Sequence, residues 1–332
     1  MDSLVNRPAP PTELVLEAVP PELGQGESGI EATLERIAGL HRVLGLDAVN
    51  IPEIHEERSR SHKGERRRPF APRVEPRLLA RYIQERLDLP CIINRVVVHL
   101  EAERQLEWFR ETWERYGVRR FVLVGGERSD RTYPGPSVPE ANRLLRERLD
   151  APRMRIGNIC IPTRRGEAER MQHKVAAGAD FFTTQVIFHA EELTALLDVL
   201  GEPRHGRRPP GLLISLAPVR SARSIHFLHW LGVSLSDELE TWLTRGPESV
   251  TERSLWHIHD TWARLAHHAA ATGTASPLGI NLAPIGAIPA ATTIRLAQAL
   301  RDGRDHWAGA ASPALTARQA GLPPGEYRRQ GP

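Results

Sequence analysis

Lysine is almost missing from this chain. Only Lys63 and Lys174 occur in 332 residues, so arginine supplies nearly all of the positive charge. The formal charge is only +3, which is not a nucleic-acid-binding balance, and no nucleic-acid partner is expected. Cysteine is equally scarce. Cys91 and Cys160 both sit in apolar, strand-like runs and read as core residues of a reducing compartment, not as a disulfide. No apolar run reaches the roughly eighteen residues that a membrane span needs. The first eleven residues lack a basic segment followed by an apolar one, so no secretory signal is expected; the expected location is cytoplasmic. His, Asp and Cys do not cluster at metal-ligand spacing, and no Gly-x-Ser-x-Gly elbow offers a serine nucleophile. No metal is expected.

What is present fits a soluble globular protein, with 40% hydrophobic and 26% charged residues. Eight apolar or alternating runs read as strands: 13–19, 48–51, 91–98, 120–125, 155–161, 181–188, 211–217 and 278–282. Each is followed by an amphipathic helical pattern, which implies a parallel sheet. Eight such units in under 300 residues imply a closed (β/α)8 TIM barrel forming a single domain. Residues 1–12 read as a loose arm, 13–302 as the barrel, and 303–332 as a tail rich in Gly, Pro, Ala and Arg. A helical insertion is expected at about 236–272, before the last strand. His257, His259, His267 and His268 fall there, but Trp256, Ile258, Trp262 and Leu265 make an amphipathic helix the better account.

One match competes with the barrel. Gly24-Gln25-Gly26-Glu27-Ser28-Gly29 fits the Gly-x-Gly-x-x-Gly dinucleotide fingerprint. Pro20-Pro21-Glu22-Leu23 separates it from the first strand, so the tight strand-to-helix turn is lost. The stretch is expected to be a flexible loop, with the first helix beginning near Ile30.

In a barrel, function lies in the loops after the strands. Polar residues near those ends are Glu17, Asn50, Glu53, Asn94, Arg95, Glu127, Thr163, Arg164, Gln185, Arg220 and Asn281. Glu17 is flanked by Leu16, Ala18 and Val19. Such a carboxylate loses solvation, so it can hold a proton near neutrality, or it can bind an arginine. Gln185 is an amide inside the apolar run 181–188. It is either a paired core glutamine or a ligand-binding amide at the barrel mouth. Glu127 follows Gly125-Gly126, where backbone can approach a ligand closely, and its carboxylate could take two N–H donors of an aminopyrimidine-like ring. It could equally be a turn residue.

These residues form a pattern. Leu16-Glu17-Ala18-Val19-Pro20-Pro21 resembles the first-strand Glu-Phe-Phe-Pro-Pro motif of the methylenetetrahydrofolate reductases. Gly178-Ala179-Asp180-Phe181-Phe182-Thr183-Thr184-Gln185 is similar to their Gly-Ala-Asp-x-x-x-Thr-Gln motif. Glu167-Ala168-Glu169-Arg170 with Lys174, Pro136 to Ala141, and Ala217-Pro218-Val219 with Gly232 fall where that family has counterparts. The resemblance spans about residues 13–300. It implies a (β/α)8 barrel that reduces 5,10-methylenetetrahydrofolate, its folate substrate, to 5-methyltetrahydrofolate, with hydride from NADH or NADPH passing through bound FAD. By position it makes Glu17 the general acid and Glu127 and Gln185 folate-binding. It places Lys174, Gly125, Gly126 and Arg95 on the cofactor side.

Three departures touch that cofactor side. Val124-Gly125-Gly126-Glu127 replaces Leu-Arg-Gly-Asp, Pro52-Glu53-Ile54 replaces Thr-Tyr-Gly, and Arg95 replaces a histidine. A flavin-free branch of the family, which hands hydride directly from nicotinamide to folate, is therefore an alternative. So is a folate-binding or methyl-transfer partner without reductase chemistry. Arg58 to Arg68 forms a basic loop after the second strand. It reads either as a mobile solvated segment or as a patch for cofactor phosphates or a polyglutamate tail. Helix faces on a barrel often pair, so a homo-oligomer is compatible with the pattern.

Overall fold

The computed structural model describes residues 12–56, 58–66, 68–126, 132–200, 209–245, 249–274, 276–286 and 288–307. Eight strands close into one all-parallel barrel in sequence order. They are β1 (Leu14–Glu17), β2 (Ala48–Pro52), β3 (Cys91–Val96), β4 (Arg120–Val124), β5 (Arg155–Cys160), β6 (Phe181–Thr184), β7 (Gly211–Leu216) and β8 (Leu278–Leu282). The helices are α1 (Gly26–Leu44), α2 (Pro76–Leu87), α3 (Ala102–Tyr116), α4 (Val138–Arg148), α5 (Glu167–Ala176), α6 (Glu191–Leu200), α7 (Ala222–Trp230), α8 (Asp237–Thr244), α9 (Val250–Thr272) and α10 (Ala290–Trp307). None of them is long and apolar enough to cross a membrane.

The two-residue period of a strand divides each one between two cores. Leu14, Leu16, Val49, Ile51, Ile93, Leu123, Phe182, Ile214 and Leu282 face outward into the main core beneath the helices. Val15, Ala48, Ile92, Val122, Phe181 and Leu213 face inward and pack on one another as a separate interior cluster. Phe181 fills this interior because Gly157 leaves room for it; a Cβ on Gly157 would collide with its ring. Above this apolar layer the same parity aims Glu17, Asn50, Asn94, Thr183, Ser215 and Asn281 into the barrel, on the carboxyl side.

Several expectations change. The glycine-rich stretch is not a flexible loop: Leu23–Gln25 forms a 3-10 turn that runs directly into α1. A reciprocal capping box between Glu22 and Gln25 orders it. Gly29 is buried against Gln25 and Pro21, so its missing side chain serves packing. The sixth strand ends at Thr184 instead of Phe188. Val186 and Phe188 leave the ladder to pack with Val219, Ile225, Leu228, Leu235 and Leu239 in a satellite core.

That satellite core also corrects the insertion. The outer ring runs α1, α2, α3, α4, α5, α6, α9, α10, each packed on the next and α10 back on α1. Thus α9 is the crossover helix before β8; its Ile258, Trp262 and Leu265 join the main core. The pair outside the ring is α7 and α8; α8 falls within the expected 236–272 and α7 before it. The last helix extends to Trp307, five residues into the expected tail.

The basic loop packs against this added pair. Arg60 N–H donates to Trp230 O (3.0 Å) and Glu65 N–H to His226 O (3.1 Å). Arg66 lies over the Trp230 ring at 5.1 Å, and Lys63 pairs with Asp237. The described part of the loop, 58–66, is therefore a docked rim segment. Gly64 is tight enough that a Cβ would collide with the Trp230 backbone. Gly64→Ala is expected to undock the segment. Faster tryptic cleavage between Arg58 and Arg66, with an unshifted main melting transition, is the result to look for; unchanged cleavage contradicts the docking.

Candidate active site at the barrel mouth

The inward layer centres on Glu17. Its backbone is in register with Asn50 on β2. Asn50 Nδ2 donates to Glu17 Oε2 at 3.3 Å, and Asn281 Nδ2, from β8, donates to the same oxygen at 3.2 Å. Both amides thus grip one carboxyl oxygen. No described donor meets Oε1. Asn281 Nδ2 also reaches Ser215 Oγ (3.0 Å), whose hydroxyl donates to Thr184 O (2.8 Å). A continuous chain therefore links the opening strand to the residue before Gln185.

The electrostatics follow from this setting. Burial raises the Glu17 pKa above the ordinary carboxylate value; the hydrogen bonds from Asn281 and Asn50 pull it down without cancelling that effect. The side chain keeps some exposure toward the mouth while the carboxyl is otherwise surrounded by protein. Among the described residues no arginine or lysine contacts it. Its described partners are two amides and no cation, the setting of a desolvated acid.

Gln185 lies one residue beyond β6 and is half-buried. Its Nε2 donates to Leu231 O (3.2 Å) at the end of α7, and its Oε1 accepts Val186 N–H (3.0 Å). The amide is thus paired within the protein, tying the β6 end to the added helices. Glu127 lies outside the described residues.

The expected cofactor-side residues occupy other places. Arg95 is one residue past Asn94 and so faces outward from β3. Its Nε donates to Gln105 Oε1 (3.1 Å), its Nη1 meets Glu53 Oε1, and its guanidinium lies 4.3 Å from the Trp108 ring centre. Lys174 is buried between α5 and β5. Its Nζ donates to Ile159 O (2.7 Å) and lies 3.8 Å from Glu167 Oε1, while burial lowers its pKa. The Gly126 surface is covered by Tyr133, whose ring a Cβ would strike; Gly125 would meet only Val138, at an ordinary 3.5 Å. Both charges are thus committed to protein partners.

Ser215 and Thr183 escaped the sequence-based selection. The signal was there in part: each stands two residues from an interior apolar neighbour, Leu213 and Phe181. Among the described residues no group of His, Cys, Asp and Glu could hold a metal. His257 Nε2 donates to Phe188 O (2.6 Å), and His189 Nε2 accepts Ser236 N–H (3.3 Å), with the His189 pKa pushed down to about 4, chiefly by burial. Both cysteines are free and buried. A groove of about 1390 Å³ also opens at the amino-terminal end, lined by Glu13, Arg120, Arg155 and Phe181 among others. It lies across the apolar layer from Glu17, at the face that serves stability in barrel enzymes, and Arg120 is paired there with Glu13.

No family model and no curated protein matches the sequence. Solved structures share the fold. An uncharacterized protein from Clostridium thermocellum that binds two copies of 5-methyl-5,6,7,8-tetrahydrofolic acid superposes with a TM-score of 0.69 at 18% identity, over 88% of this chain and 95% of that one. A GH113 β-1,4-mannanase superposes with a TM-score of 0.50 at 11% identity, over 88% of this chain and 98% of that one. At these identities the likeness is one of architecture.

Proposed function

We propose that the carboxyl mouth of this barrel binds a reduced folate, and that the protein reduces 5,10-methylenetetrahydrofolate to 5-methyltetrahydrofolate with hydride from NADH or NADPH. The observation that carries this reading is the Glu17 carboxyl. Burial favours its protonated form, two amides fix one of its oxygens, and the other is left open. The Clostridium thermocellum neighbour with its bound 5-methyltetrahydrofolic acid supports the ligand class. The first- and sixth-strand motifs support the reaction.

The chemistry asks for one proton and one hydride. Glu17 supplies the proton to a nitrogen of the one-carbon bridge; one C–N bond breaks and an iminium remains. Hydride adds to the iminium carbon to give the N-methyl product. Asn50 and Asn281 keep the carboxyl from rotating, so the proton is presented from Oε1. The apolar layer of Val15, Ile92, Val122, Phe181 and Leu213 seals the site from below and excludes water.

FAD is the relay that the resemblance implies. The residues carried over for it do not fit, since Arg95 faces outward against Glu53 and Gln105 while Lys174 is held by Ile159 O and Glu167. That commitment favours direct transfer from the nicotinamide, so no step is derived through a flavin. The absorption spectrum of the purified protein, followed by NADH and NADPH oxidation with methylenetetrahydrofolate, tests the reading. Colourless, active protein is the expected result. A bound flavin band overturns the direct route and leaves the reduction in place. Colourless protein that binds folate without turnover leaves a folate-binding partner as the function.

A further inference from the structure

We infer that the end of the ligand buried in the barrel presents N–H donors to the amide oxygens of Asn50, Asn94 and Asn281. The inference deepens the folate reading and rests on it for the identity of the ligand. Its basis is a concentration of unmet acceptors. Asn50 Oδ1, Asn94 Oδ1 and Asn281 Oδ1 have no hydrogen-bond partner, and neither does Thr183 Oγ1. Their residues are 1%, 9%, 0% and 2% exposed. Buried polar atoms are nearly always paired, and leaving one unpaired is costly. Four in the inward layer of one barrel end mark a place where a partner belongs.

Glu17 does not supply that partner. Asn50 and Asn281 each commit Nδ2 to Glu17 Oε2, which fixes which way their oxygens point. A protonated Glu17 carries one O–H, so it satisfies one amide oxygen at most, and only after that amide turns round. The remaining oxygens need donors from outside. Two amide oxygens beside a carboxyl, with a third on β3 facing the same interior, repel carboxylates and phosphates and accept a planar heterocycle with adjacent N–H and NH2 groups. An aminopyrimidinone edge has that chemistry. The ligand then enters this edge first, and an acidic tail is left at the rim, where the arginine-rich segment 58–66 is docked.

The test uses full-length protein and two fragments, 2,6-diaminopyrimidin-4-one and the donor-free 3-methylpyrimidin-4-one, beside 5-methyltetrahydrofolate, with affinities from calorimetry. Asn94→Leu removes an unmet oxygen at nearly constant volume and lies outside the Glu17 hydrogen bonds; Thr183→Val is the second variant. Each is expected to weaken the diamino fragment and the folate about tenfold, leave 3-methylpyrimidin-4-one unmoved, and melt no lower than wild type. Loss of binding with retained stability is what a merely structural role does not give. Unchanged affinity in both folded variants overturns the inference while the folate reading stands. Asn94-dependent binding of the diamino fragment without folate binding leaves the inference standing and removes the folate. Failure of wild type to bind either donor-bearing probe, or equal binding of 3-methylpyrimidin-4-one, overturns it as well.

Discussion

Glu17→Gln should fold and bind folate yet lose roughly 10²–10⁴-fold in methylenetetrahydrofolate reduction, the range a positioned general acid supplies. Glutamine keeps the shape, and its carbonyl oxygen still accepts from Asn50 and Asn281. Only the transferable proton is lost. The pH dependence has a definite sign. The wild-type chemical step needs Glu17 protonated, so its rate falls as pH rises through the raised pKa, and the glutamine variant lacks that limb. Stability moves in step. A carboxyl whose folded pKa lies above its unfolded value contributes stability that is present below the unfolded value and lost as pH rises through the folded one. The variant should therefore melt no lower than wild type at neutral pH, with the difference opening between the ordinary carboxylate value and the raised one. Single-turnover rates and melting curves across pH check both. Near-wild-type turnover in the variant would falsify the proton-donor role.

The barrel and the inward position of Glu17 were legible because both depend on a two-residue period. Apolar alternation around Leu14, Val15 and Leu16 sets the face of the next residue. The same rule also separates Asn94 from Arg95, although the motif resemblance grouped Arg95 with the pocket: neighbours on a strand face opposite sides. Lys174 was not legible. A helical pattern places a lysine on a face without saying whether a carbonyl such as that of Ile159 waits for it. The exchange of roles between α7 and α9 was hidden for a related reason. Both are amphipathic, and only the partner of each apolar stripe, main core or satellite core, distinguishes ring from cap. Gln185 falls one residue past the end of β6 and not inside it, and its amide is met by a carbonyl 46 residues away, which no local pattern encodes.

Arg95→Leu separates a structural cation from a cofactor contact. The Arg95 and Glu53 side chains are 9% and 15% exposed. Burial drives the Glu53 pKa up, but the His55 imidazole 3.4 Å away, the Arg95 charge and the Val96 N–H together hold it below the ordinary value. Removing the guanidinium leaves that carboxylate buried beside one backbone donor and a weak imidazole partner, and it strips the cation from the Trp108 face. Breaking one side of a buried pair costs about 3–5 kcal/mol, so a loss of that order is expected in urea unfolding. Glu53→Gln with Arg95→Leu should recover part of it, because no unpaired charge remains. The acid limb follows from the sign of the shift. Glu53 contributes stability that is present above its unfolded pKa and lost as pH falls through the lower folded one, and the double variant should lose that dependence. Reduction per folded molecule should stay unchanged in both, since the guanidinium faces away from Glu17. A selective loss of nucleotide affinity at normal stability would instead return Arg95 to the pocket.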